Sequence, residues 1–174
     1  MTIRVYLLVS FLLFAVCTQA QTDLAVEFQI YPTGFLPGIS IDHSLSGKSV
    51  LYGRVGANLF DHRDLGVQDE EEGAGLGFSL GYKNYFKEGR IGWRWGIKND
   101  IWRNTVDWQT GTDTGETKIW VVQPTAELSY VFRKTHYFIA PSAALGFEWN
   151  VETDGEPTGE GAILLLGVQI GFEL

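Results

Sequence analysis

Chemistry has few places to reside in this chain. The three histidines are His43, His62 and His136, and none has HxxxH or HExxH spacing, so no zinc site is indicated. Ser44 and Ser46 flank His43, but nucleophilic catalysis needs a nucleophile, a base and an orienting acid within reach, and His62 has no serine nearby. The densest constellation is Asp61-His62-Arg63-Asp64, which reads as a hydrogen-bonded ion-pair cluster at a strand end. The run Asp69, Glu70, Glu71 and Glu72 carries the oxygen ligands that Ca²⁺ takes, but without EF-hand or other fixed spacing. It reads as a solvated charge run and a candidate cation or partner site. Gly73-Ala74-Gly75-Leu76-Gly77 lacks the helix and lysine of a phosphate loop, and reads as strand. No catalytic residue, metal or cofactor is assigned, and the chain is expected not to be an enzyme.

The elements that hold these residues come next. A length of 174 residues suits one domain. Aromatics at 14% and apolar residues at 45% exclude a disordered chain, and a net charge of −8 excludes an ordinary nucleic-acid binder. Residues 1–20 have a basic Arg4, an apolar run from Val5 to Val16, and Thr18-Gln19-Ala20 before Gln21. That pattern is a secretory signal peptide, expected to be cleaved after Ala20. Acylation at Cys17 is the rival reading, and Val16 fits it poorly. Cleavage would leave a domain of residues 21–174 with a net charge of −9 and no cysteine.

The remaining chain alternates with period two and shows no sustained helical period. Eight strands are expected, at 24–32, 37–45, 49–60, 74–86, 90–103, 118–132, 136–150 and 161–174. Tight turns around Ser46-Gly47-Lys48, Lys87–Arg90 and Arg133-Lys134-Thr135 alternate with long connections at 61–73, 104–117 and 151–161. The connection near Thr33-Gly34-Phe35 is short where a long one is expected. The long segments hold 13 acids and one base, while the tight turns are mostly basic.

One strand face is large and apolar, as in Leu24, Val26, Phe28 and Ile30, or Leu164, Leu166, Val168, Ile170 and Phe172. The other is glycine, alanine and serine with a few charges. A soluble barrel would carry a solvated polar face instead. Small residues with a few long ones suit a narrow interior, and lipid would then surround the apolar face. The expected lumen network is Glu27, Asp42, Arg54, Lys83, Arg94, Lys98, Asp100, Glu127 and Glu148, with Asn58, Gln123, Gln169 and Glu173. Its charges are expected to pair as a plug rather than line a pore.

Aromatics gather near the tight turns (Tyr82, Tyr85, Phe86, Trp93, Tyr130, Phe132, Tyr137, Phe172). A second group lies near the long connections (Tyr31, Phe35, Phe60, Trp102, Trp108, Trp120, Trp149). Two such groups suggest girdles at two water–lipid interfaces. Pro124 and Pro141 fall inside strands six and seven, where each removes a ladder donor, so a bulge or local break is expected.

The expected fold is all-β: a closed up-and-down antiparallel transmembrane β-barrel of about eight strands. The mature chain resembles the small outer-membrane β-barrel proteins of Gram-negative bacteria, of the OmpA-domain and OmpX type. The resemblance rests on the leader, the alternating strands, the short and long connections, and the last strand, where Phe172 precedes the final Leu174. It implies the outer membrane, periplasmic tight turns and exposed acidic loops. Its implied partners are membrane lipid, lipopolysaccharide, the insertion machinery and an unnamed surface partner, with no nucleic acid. A structural or surface-interaction role is expected. The alternatives are a narrow channel or small-ligand conduit, a lipid-modifying envelope enzyme, and a soluble lipocalin-like binder.

Overall fold

A computed structural model describes residues 21–174; the leader read at 1–20 lies outside the described residues. Eight antiparallel strands follow one another around a closed ring. They are β1 (Thr22–Tyr31), β2 (Gly34–Ser44), β3 (Ser49–Arg63), β4 (Glu70–Tyr85), β5 (Gly92–Thr110), β6 (Asp113–Lys134), β7 (Tyr137–Asp154) and β8 (Gly161–Glu173). Closure is made by β1 on β8, from Asp23 opposite Glu173 to Ile30 opposite Leu166. Each interior backbone group therefore has a neighbouring strand to pair with, and no edge remains.

The alternation sorts side chains as a lipid solvent would require. Leu76 is 74% exposed, Leu80 62% and Leu145 67% on the outer wall. Arg54, Arg94, Lys98 and Asp100 are buried on the inner one. An apolar exterior around a charged interior inverts the usual arrangement in water.

Two expectations need correction, and a third is resolved between its alternatives. Segment 104–117 is not a long loop: β5 and β6 continue as a hairpin to the pair Thr110–Asp113, closed by Gly111 and Thr112. Polar residues there suggested a loop, but ladder bonds carry the strands past the apolar belt. The prolines give the local break and not the bulge: register on β6–β7 is the same on both sides of Pro124 and of Pro141, but the pairs that would join 123–124 to 147–148 and 130–131 to 140–141 are missing, and the shift on that seam lies at Trp120/Val121. Both prolines face outward on adjacent strands, so the missing donors interrupt one seam only.

The aromatic girdles are smaller than expected. Tyr85, Phe60 and Trp102 are buried inside the barrel, and Tyr31 donates a hydrogen bond to Asn58 Oδ1 at 2.6 Å. Strand parity explains this. Arg94, Lys98 and Asp100 set the inner face of β5, and Trp102 continues it by two; Phe60 follows Arg54 and Asn58 in the same way. The outer wall keeps a Trp93–Tyr130–Phe132 group near the tight turns, with centroids 5.1 and 4.7 Å apart. At the other end lie Phe28–Phe35 and Phe147–Trp149.

Candidate functional site

The lumen is filled in layers. Nearest the tight turns, Ala25, Val50, Tyr85, Val131, Phe138 and Ala140 form an apolar cluster. Toward the long connections a second cluster contains Leu36, Phe60, Trp102, Val106, Ile119, Val121, Ala144 and Leu165. This second cluster was not anticipated. Its signal was the unbroken parity of β5 and β6, outweighed by the polar residues between.

Arg54 organises the middle of the charged network. Its Nη2 reaches Asp100 Oδ1 at 3.0 Å, its Nη1 reaches Gln29 Oε1 at 3.0 Å and Glu27 Oε1 at 3.3 Å, and its Nε donates to Ser79 Oγ at 3.1 Å. Lys98 Nζ donates to Asp100 Oδ2 at 2.7 Å, and Ser79 donates to the same carboxylate. Tyr52, absent from the expected network, donates to Glu27 at 3.0 Å. Below, Arg94 holds Asp42 at 2.9 Å, Ser129 at 2.8 Å and Gln169 at 2.6 Å, and Lys83 stands 3.4 Å from Asp42 and 3.8 Å from the Tyr52 ring centre. Glu127 is also buried in the lumen but enters none of these ion pairs. Charges held this closely are costly to desolvate and costly to separate.

Two further clusters escaped the sequence reading. Toward the long connections, Arg63 Nη2 lies 2.7 Å from Glu71 Oε2 and its Nη1 2.7 Å from Glu148 Oε1. At the tight-turn end, Arg133 reaches Asp23 at 2.5 Å and Glu173 at 3.4 Å, and Arg90 pairs with Asp23 as well.

Glu71 is thus a correction. It was grouped with Asp69, Glu70 and Glu72 as solvated loop, but it belongs to β4 and is fully buried. Glu71 is in phase with Ser79 and Lys83 on the inner face of β4, and Arg63 meets it through a register shift between Phe60 and Arg63, where His62 takes a φ of 53°. The irregularity turns Arg63 inward opposite Glu71 and leaves His62 outside. The Asp61–Asp64 constellation is therefore split. His62 Nδ1 contacts Asp61 at 2.7 Å and its Nε2 contacts Glu70 at 3.3 Å, all three exposed.

The long connections meet as one rim. Asp69 Oδ2 accepts from the Gly111 backbone at 2.9 Å, and Gln68 Nε2 donates to the Pro157 carbonyl at 2.9 Å. Thr117 Oγ1 donates to the Glu156 carbonyl at 3.0 Å, and Glu71 Oε1 accepts from Gly159 N at 2.8 Å. On the outer side of this rim, Glu72, Asp107 and Glu116 stand directly opposite one another across β4, β5 and β6. Like charges placed so repel.

A closed eight-stranded antiparallel ring with an apolar exterior and a charged lumen is the fold of the small outer-membrane β-barrels. Solved structures agree. The N-terminal β-barrel domain of Pseudomonas aeruginosa OprF is 18% identical, with a TM-score of 0.54 over 88% of this chain and all of that one. Neisserial surface protein A (NspA) is 14% identical, with a TM-score of 0.52 over 88% of this chain and 96% of that one. Ail, the attachment invasion locus protein of Yersinia pestis, is 6% identical, with a TM-score of 0.53 over 88% of this chain and 97% of that one. No protein-family model and no curated protein sequence matches the chain.

Proposed function

We propose that this chain is an outer-membrane β-barrel with a structural and surface-interaction role, exported by its leader and placed by the insertion machinery. The observation that carries the reading is the inverted wall, apolar outside and ion-paired inside. Side chains from most of the strands cross the lumen and tie it shut, which favours an anchor over a conduit. The working surface is then the rim, where three connections are knitted together and carry most of the acid. Such a rim selects cationic partners. Ail was solved with a heparin analogue, sucrose octasulfate, a polyanion that this rim would repel.

Two experiments test the reading. The protein should stay with envelope membranes through a carbonate wash, and release would remove the barrel-in-lipid reading. Neutralising Asp69, Glu70 and Glu72 together, with Glu71 left intact, should weaken binding of a basic probe such as polylysine to whole cells while assembly is unchanged. Unaltered binding would remove the acidic rim from the function.

A further inference from the structure

Residues 21–174 contain 12 lysines and arginines. Five belong to the tight turns (Lys48, Lys87, Arg90, Arg133, Lys134) and five to the lumen (Arg54, Arg63, Lys83, Arg94, Lys98). Only Arg103 and Lys118 remain, and both lie on the outer wall of β5 and β6, close to the rim. Arg103 stands opposite Trp120 and Lys118 opposite Thr105, which makes the two bases diagonal neighbours across one seam. The Arg103 guanidinium lies 5.5 Å from the Trp120 ring centre, and its Nη1 is buried without a hydrogen-bond partner. Lys118 contacts Glu116 at 3.3 Å, with side chains about half exposed, and an exposed pair of this kind holds its partner weakly.

Four residues further into the belt on the same face of β5 is Asn99, opposite Pro124. At strand rise that is roughly 13 Å, near the middle of a hydrocarbon layer about 30 Å thick. Here the wall is indented by an open groove of about 880 Å³, floored by Pro124 and Ala126 and walled by Leu80, Ile97, Leu145 and Phe147. The buried Oδ1 of Asn99 has no partner in it.

We propose that this face is a binding site for a phosphorylated, acylated lipid of the outer leaflet, with its phosphate on Arg103 and Lys118 and an acyl chain in the groove. The inference rests on the outer-membrane reading above. Charge complementarity selects the ligand. A guanidinium with an unused donor and an ammonium beside it form an anion seat at the edge of the apolar belt, bordered by an indolyl ring. The row Glu72–Asp107–Glu116 above would repel a phosphate placed any higher, which fixes it at the two bases. The small residues at Pro124 and Ala126 leave the wall recessed where a chain descending from that seat would run.

The test is native mass spectrometry of the full mature protein in mild detergent, titrated with lipid A, with dephosphorylated lipid A, and with a soluble glucosamine phosphate that has no acyl chains. Lipid A should bind at least tenfold more tightly than either of the others. The double variant R103Q/K118Q should lose the preference for the phosphorylated form, R103K should keep most of it, and A126W should weaken binding of lipid A alone. Equal binding of the two lipid forms by the wild-type chain would overturn the proposal, and needs no variant that might misfold. A dimer abolished by A126W, with no lipid preference, would make the groove a protein interface and overturn it too. Separation from membranes in a carbonate wash would instead defeat the reading on which the site depends.

Discussion

Arg54 shows what one residue can hold together in a closed lumen. It donates to groups on β1, β4 and β5, so its removal leaves Asp100 and Glu27 short of a counter-charge. Arg54→Met should destabilise the barrel by about 3–5 kcal/mol, the usual cost of orphaning a buried charge. The urea midpoint in micelles measures this, and a loss below about 1 kcal/mol would mean that the lumen is wet enough to screen the pair. A second residue-scale case concerns space. A Cβ on Gly77 would come within 2.1 Å of the Ile101 carbonyl and 2.4 Å of Trp102, whereas one on Gly53 would meet only Ile41, at 3.5 Å. Gly77→Ala should therefore cost about 1–3 kcal/mol and Gly53→Ala less than about 0.5. Equal effects in the same unfolding series would show that the glycine spacing under Trp102 is not needed.

At the scale of elements, the seam between β1 and β8 is where the ring closes. Asp23 and Glu173 face each other across it, and Arg133 from β6 reaches both through the lumen. Closure is thereby tied to a strand two places round the ring from β8. Arg133→Gln should cost about 1.5–3 kcal/mol, as for hydrogen bonds to charged groups. It should also slow the appearance of the compact, fast-migrating form on unheated gels. A wild-type rate of appearance would detach the clasp from closure. The hairpin of β5 and β6 teaches a different lesson. Its outer half is as polar as a loop, yet inward parity persists through Asn104 and Val106.

For the whole molecule, two apolar clusters bracket a network of crossed ion pairs, and Arg63, Glu71 and Glu148 lie toward the rim. Such a filling predicts no steady conductance when the protein is inserted in a planar bilayer. Stable single-channel steps that change with Arg94→Gln would instead favour a conduit through the lumen. The charge asymmetry also belongs to this scale. Acids crowd one rim and bases the other, so the modest net charge describes neither end.

Much of this was legible in the residues. Alternation named eight strands, because side chains two apart share a face whatever the strand's surroundings. The same parity puts Arg54, Lys98 and Asp100 on the inner wall, where they are buried, and it extends to Glu71, although the acidic run around it resembles loop. What alternation could not carry was a change of phase. The irregularity at His62 turns Arg63 inward to meet Glu71, and local sequence around Asp61–Asp64 looks equally solvated throughout. Only the paired register of β3 and β4 decides that. The same holds for Asp23, Arg133 and Glu173, and for Arg103, Asn99 and Pro124. These are brought together by closure and by cross-strand register, which act between residues far apart in the chain and leave no trace in the spacing of any one strand.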